Sequence, residues 1–169
     1  MVKKKIFSAI AVVLLAAAGY FGWAWFHRNT PENLILRQLN ELAECASKPA
    51  GEGTSGGLLK IHALPSLFMP ECELEFRVEM FRGRYTTGEL EANLARYRVI
   101  FEQVKVGVKD PVVHLESPDT AVAEFTGTLN GRTKTGSRLD EIRELKCRFR
   151  LTDGKWLIES MTVRDILQK

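Results

Sequence analysis

The chain has few of the residues and none of the short patterns that mark common enzyme classes. Its 169 residues include three histidines and three cysteines. No G-x-S-x-G or H-E-x-x-H pattern occurs, and the glycine-rich stretch Ala50 to Gly57 lacks the G-K-[ST] ending of a phosphate-binding loop. His62 and His114 have no Cys, Asp or Glu at the close spacing of a zinc site, so no metal is expected, and no cofactor is implied. Residues 1–26 contain no acidic residue, and Lys3, Lys4 and Lys5 carry all of their charge. With those three set aside from the 24 Lys and Arg, 21 basic residues face 21 acidic ones. The formal net charge of +3 therefore belongs to the N-terminus. A nucleic-acid-binding domain ordinarily has a basic field of its own, so nucleic acid is not an expected partner.

What is present at the N-terminus is apolar. Ile6 to Phe26 runs for 21 residues without a charge, long enough to cross a bilayer core of about 30 Å as a helix. The lysine triplet before it orients the segment with residues 1–5 in the cytoplasm, 6–26 as a transmembrane signal anchor and 27–169 exported. Tyr20, Trp23 and Trp25 cluster at the far end, as interface aromatics do. This reading places the protein in a bacterial inner membrane, single-pass, with its domain in the periplasm or outside. The alternative is a secreted protein cleaved near Ala18, because Ala16 to Ala18 offers a small-x-small site. The apolar, aromatic run after Ala18 favours the anchor, since cleavage would leave it as an exposed end.

The exported part reads as helices followed by strands. Thr30-Pro31-Glu32 is a helix start, and Ile35, Leu39, Leu42 and Ala46 share one face. Ala50 to Gly57 reads as a loop, and Leu58 to Leu64 as a short helix before Pro65. Glu73 to Phe81 alternates as a half-buried strand. Thr86 to Glu89 fits a capping box, opening a helix whose apolar stripe is Leu90, Leu94, Tyr97 and Phe101. From Val104 the period is two. Asp110-Pro111 bulges or interrupts one strand, and Ser117-Pro118-Asp119 turns into the next, Ala121 to Leu129. Asn130-Gly131 opens a loop to Gly136, and Asp153-Gly154 turns the long strand Leu139 to Leu151 into the last one. This order is α+β, with about three helices packed on a curved, mostly antiparallel sheet.

Leu67-Phe68, the strand around Glu75 to Met80, the Gly83 turn into Gly88-Glu89-Leu90 and the closing Asp153-Gly154-Lys155-Trp156-Leu157-Ile158 together resemble a nuclear transport factor 2-like domain. That cone-shaped fold also serves ketosteroid isomerase, scytalone dehydratase and SnoaL-like cyclases. The resemblance covers about residues 31–165 and rests mainly on element order. It implies an apolar pocket in the cone, which is a ligand site in some members, an active site in others, and absent from the role of many assembly modules. Membrane-anchored periplasmic domains of this fold occur in type IV secretion machines.

The apolar faces give the candidate lining: Tyr97, Phe101, Phe125, Cys147 and Phe149, with the long strand's inward face extending back to Arg143 and Glu141. The last strand has two registers. One turns Trp156, Ile158 and Ser160 inward. The other turns Leu157, Glu159, Met161 and Val163 inward and brings Glu159 toward Arg143. In an oxidising compartment Cys45 and Cys72 can meet as a disulfide, and Cys147 reads as core. Lys146, Arg148 and Arg150 form a basic row on the outer sheet face, which in the resembling fold is a frequent dimer surface. Two functions are open to such a chain. One is a non-enzymatic binding or assembly module, engaging a protein partner or second copy, with a possible small-ligand pocket. The other is an isomerase- or cyclase-like enzyme using a buried Glu159 or Glu141.

Overall fold

Spacing of apolar residues sets the first element. The computed structural model describes residues 29–76 and 81–164. Helix α1, Pro31–Ala46, buries Ile35, Leu39, Ala43 and Cys45, one stripe of a 3.6-residue period. The Asn33 amide donates to Thr30 Oγ1 at 3.4 Å, and Pro31 occupies the first turn, where its missing N–H costs nothing. The expected anchor, residues 6–26, and the tail, residues 1–5, lie outside the described residues. Among the described residues no helix is long and apolar enough to cross a membrane.

Helix α2, Thr54–Ala63, starts four residues earlier than the sequence suggests, inside the glycine-rich stretch expected as a loop. Local propensity is overridden by charge. Glu52 lies just before the positive end of the helix dipole, and Lys60 reaches back to it at 3.0 Å. A 3-10 turn, Leu64–Leu67, comes next. Helix α3, Thr87–Ile100, opens on the expected capping box: the Thr86 amide donates to the Glu89 carboxylate at 2.8 Å, and the Glu89 amide returns to Thr86 Oγ1.

The strands are β1 Phe68–Glu75, β2 Arg82–Thr86, β3 Phe101–Leu115, β4 Thr120–Thr133, β5 Arg138–Thr152 and β6 Lys155–Arg164. They form one sheet in the order β2-β1-β6-β5-β4-β3, antiparallel throughout except where β1 runs parallel to β6. The inner face carries Ala121, Ala123, Phe125, Cys147, Phe149, Trp156 and Ile158, all buried. Together with the buried faces of α1 and α3 they make the core of the unit that begins at Ile35. Each large apolar side chain among them contributes roughly 1.5–3 kcal/mol by transfer from water.

The strands depart from plain alternation at defined points. The expected Asp110-Pro111 bulge is present: Lys109 pairs with Thr126 and Val112 with Glu124, leaving one extra residue, and Asp110 has φ 49°. The expected turn at Asn130-Gly131 is corrected. β4 runs straight through it, because a Cβ on Gly131 would stand 2.9 Å from the Phe101 ring. The glycine serves a close approach there, and the turn falls at Lys134 to Gly136. The real two-residue turn is Asp153-Gly154, with φ of 50° and 75°, the left-handed pair of a type I′ hairpin.

The two registers open to the last strand both occur, in different halves. Phe149 pairs with Ile158 and Arg148 with Ser160, so Glu159 is one residue too many for β5. Trp156 and Ile158 are buried before this bulge and Met161 after it. On the other side of β6, Phe68 pairs with Ile158 and Glu73 with Ser160, so four residues of β1 face that single residue. Pro70 lies in this stretch and has no N–H to donate. The first strand therefore begins at Phe68 and ends at Glu75, earlier than the expected Glu73 to Phe81.

Candidate functional site

The inner face holds several of the candidate residues, packed against one another. Phe125, Cys147 and Phe149 are buried in the sheet, and Phe101 is buried at the start of β3. Tyr97 stacks on Phe101 with ring centroids 4.9 Å apart and meets Phe81 edge-on at 6.3 Å. Its hydroxyl is buried with no hydrogen-bond partner among the described residues, and burial raises its pKa above the ordinary phenol value.

The candidate carboxylates lie elsewhere. Glu141 pairs with Arg143 toward the far end of β5, where both side chains are more than a third exposed. Glu159 does not face inward and does not meet Arg143. As the bulged residue it turns to the outer face, where Arg150 donates to it at 2.6 Å. Cys45 and Cys72, the pair expected to meet, are free buried thiols here, as is Cys147. Cys72 acts electrostatically on Cys147, while the charges acting on Cys45 are Glu41, Lys60, Glu44 and Arg98. The helix and strand carry the two expected partners into different surroundings. Burial pushes Cys72 to about 11 and raises the other two, which keeps all three protonated and poor nucleophiles.

Among the described residues, charge enters the interior at one place. Arg98, on the buried face of α3, donates to the carbonyls of Cys45 and Ser47 at 2.9 and 3.0 Å, capping the end of α1, and pairs with Glu52. In return Lys48, just past α1, donates to the carbonyls of Arg98 and Phe101 at 2.9 and 2.7 Å, capping the end of α3. Burial acts to raise the Glu52 pKa, but hydrogen bonds from Lys60 and Arg98 outweigh it and hold the carboxyl below its usual range. This clasp locks two helix ends together. All of its charged members are engaged internally, so it is structural.

The outer face is different. Where β1 parts from β6 a groove of about 420 Å³ opens, floored by Ser160. Glu71, Glu73 and Arg84 stand on one side, Arg148, Arg150 and Glu159 on the other. A smaller depression of about 190 Å³, sharing Glu71 and Arg84, continues it toward Thr86 and Glu89. The sheet register places Arg84, Glu73, Ser160 and Arg148 in one transverse row over β2, β1, β6 and β5. Arg148 is drawn to Glu116 at 2.7 Å. Glu71 and Glu73 have no ion pair among the described residues. Arg148 and Arg150 of the basic row expected on β5 thus line one side of a groove, without Lys146. Glu71 and Glu73 on β1, with Arg84 on β2, stand across β6, and no single stretch of sequence displays both sides.

No family model matches the sequence, and no curated protein matches it. Solved structures do. A hexachlorocyclohexane dehydrochlorinase, LinA type 2, aligns with a TM-score of 0.64 and 12% identity over 79% of this chain and 83% of that one. A candidate scytalone dehydratase from Novosphingobium aromaticivorans gives 0.61 and 15% over 79% and 82%. A candidate calcium/calmodulin dependent protein kinase II association domain from Xanthomonas campestris gives 0.55 and 18% over 80% and 85%. The fold is nuclear transport factor 2-like. At these identities the likeness concerns the fold alone, and the nuclear transport factor 2-like scaffold hosts unrelated functions. What this particular nuclear transport factor 2-like domain does is decided by its own groove and interior.

Proposed function

We propose that the chain is a membrane-anchored, non-enzymatic binding or assembly module of a bacterial envelope, with residues 27–169 facing the periplasm or exterior and residues 6–26 holding it to the inner membrane. The observation that carries the non-enzymatic part is where the carboxylates stand. Glu141 and Glu159, the acid–base candidates, are both at the surface in ion pairs with arginine, and the inner face is occupied by Phe125, Cys147, Phe149 and Ile158. An isomerase-like site needs a carboxyl shielded from water so that burial tunes its pKa. The lysine triplet and the uncharged run after it support the anchor. The outer face with Lys146, Arg148 and Arg150 is the surface offered to a protein partner or a second copy.

Two experiments test this reading. A reporter fused after Lys169 is expected to work only outside the cytoplasm, and activity of a cytoplasm-only reporter there removes the anchored topology. A mature N-terminus at Gly19 replaces the anchor by a cleaved signal peptide. Purification of the native membrane protein is expected to recover a partner, or a second copy, that is lost when Lys146, Arg148 and Arg150 are changed to Glu. Retention of the same partner by that variant moves the interface off this face.

A further inference from the structure

Glu73 and Arg148 flank Ser160 in register, two strands apart. At the usual strand spacing their Cα atoms are about 10 Å from each other. Side chains of this length can close that gap with an ion pair. They do not, because Arg148 is drawn to Glu116, away from β1, and Arg150 is held by Glu159 on β6. The result is a trough with Glu71, Glu73 and Arg84 on one side, Arg148, Arg150 and Glu159 on the other and a hydroxyl between them, in which Glu71 and Glu73 have no ion pair among the described residues. Each guanidinium has five donors, and one carboxylate contact leaves several of them unused. The volume of about 420 Å³ is in the range of small-molecule sites.

We propose that this groove binds a short zwitterionic molecule of the peptide class, its ammonium end on Glu71 and Glu73 and its carboxylate end on Arg148 and Arg150. An anion alone meets Glu71, Glu73 and Glu159, and a cation alone meets Arg84, Arg148 and Arg150. A molecule with both charges at its two ends complements both walls and can bond to Ser160 through an amide in the middle. The inference rests on the reading of the domain as a binding module and gives that module a ligand.

Isothermal titration of the full-length chain in detergent micelles with trialanine tests it. Saturable binding is expected, weakened by about fivefold or more when the peptide is N-acetylated or C-amidated, and absent when both ends are blocked. Glu73→Gln is expected to weaken trialanine by a similar factor while leaving the affinity of the N-acetylated peptide unchanged, a pattern that a merely unfolded variant does not give. Equal binding of the doubly blocked peptide, or no saturable binding of trialanine, overturns the proposal. If trialanine fails while a protein partner still co-purifies, the ligand assignment falls and the module reading stands.

Discussion

The clasp around Arg98 and the groove around Arg148 are both made of arginine and glutamate, and they differ in how far water reaches them. Arg98 and Glu52 are almost fully covered, and every charge in the clasp is answered by another group of the same chain. In the groove the pairs Arg148–Glu116 and Arg150–Glu159 are about two-fifths exposed on the arginine side, and Glu71 and Glu73 have no ion pair among the described residues. Covered charge has to be satisfied internally or it unfolds the chain, so it becomes architecture. Exposed charge costs little to leave open, so it stays available to something else. The same two residue types therefore serve shape in one place and recognition in the other.

Mutation can separate the two regions, and the largest effect falls on the clasp. Arg98→Ala strands the Glu52 carboxylate and two helix-end carbonyls, and should destabilise the domain by about 3–5 kcal/mol in chemical denaturation. Glu52→Gln keeps the shape but leaves Arg98 uncompensated, at about 1–3 kcal/mol. It also carries a pH signature. Because the folded carboxyl has a lowered pKa, its stabilisation is present above the ordinary carboxylate range and is lost as pH falls through the folded value. The thermal midpoint of the native protein should therefore drop more steeply below about pH 4.5 than that of the Gln variant. Lys48→Met removes two caps on α3 and should cost about 1–2 kcal/mol by the same denaturation assay. Glu159→Gln, on the groove side, should change stability by under about 1 kcal/mol. A loss as large as that of Arg98→Ala would mean that the groove is architecture too.

Much of the fold was legible because its signals are local. The Ile35 and Leu39 part of the expected stripe, the Thr86–Glu89 box and the Asp110-Pro111 and Asp153-Gly154 irregularities each lie within a few residues and each has one physical meaning. Asn130-Gly131 misled because glycine has two uses, freedom at a turn and room for a neighbour, and only Phe101, thirty residues away, decides between them. Arg98 could have been found. It comes after Leu90 and Leu94 at steps of four, on the face that packs inward, and a charge on that face asks for buried partners. Glu159 could not, since both registers of its strand were locally consistent and the bulge exists only against β5 and β1. The groove was hidden for the same reason: β2, β1, β6 and β5 bring its walls together from parts of the chain distant in sequence, Glu71 at one extreme and Ser160 at the other.

Glu159 shows how much depends on one unneeded unit of length. With it, β6 shifts phase in mid-strand, so Trp156, Ile158 and Met161 all reach the interior although their numbering mixes even and odd. Deleting that single position would restore strict alternation over Trp156, Leu157, Ile158, Ser160 and Met161, leaving all three buried residues on the inner face and removing only the bulge. It would also take away the carboxylate that steers Arg150. Natural variants of this chain can therefore lose this position and keep Trp156, Ile158 and Met161 facing inward, giving up the kink and the Arg150 contact.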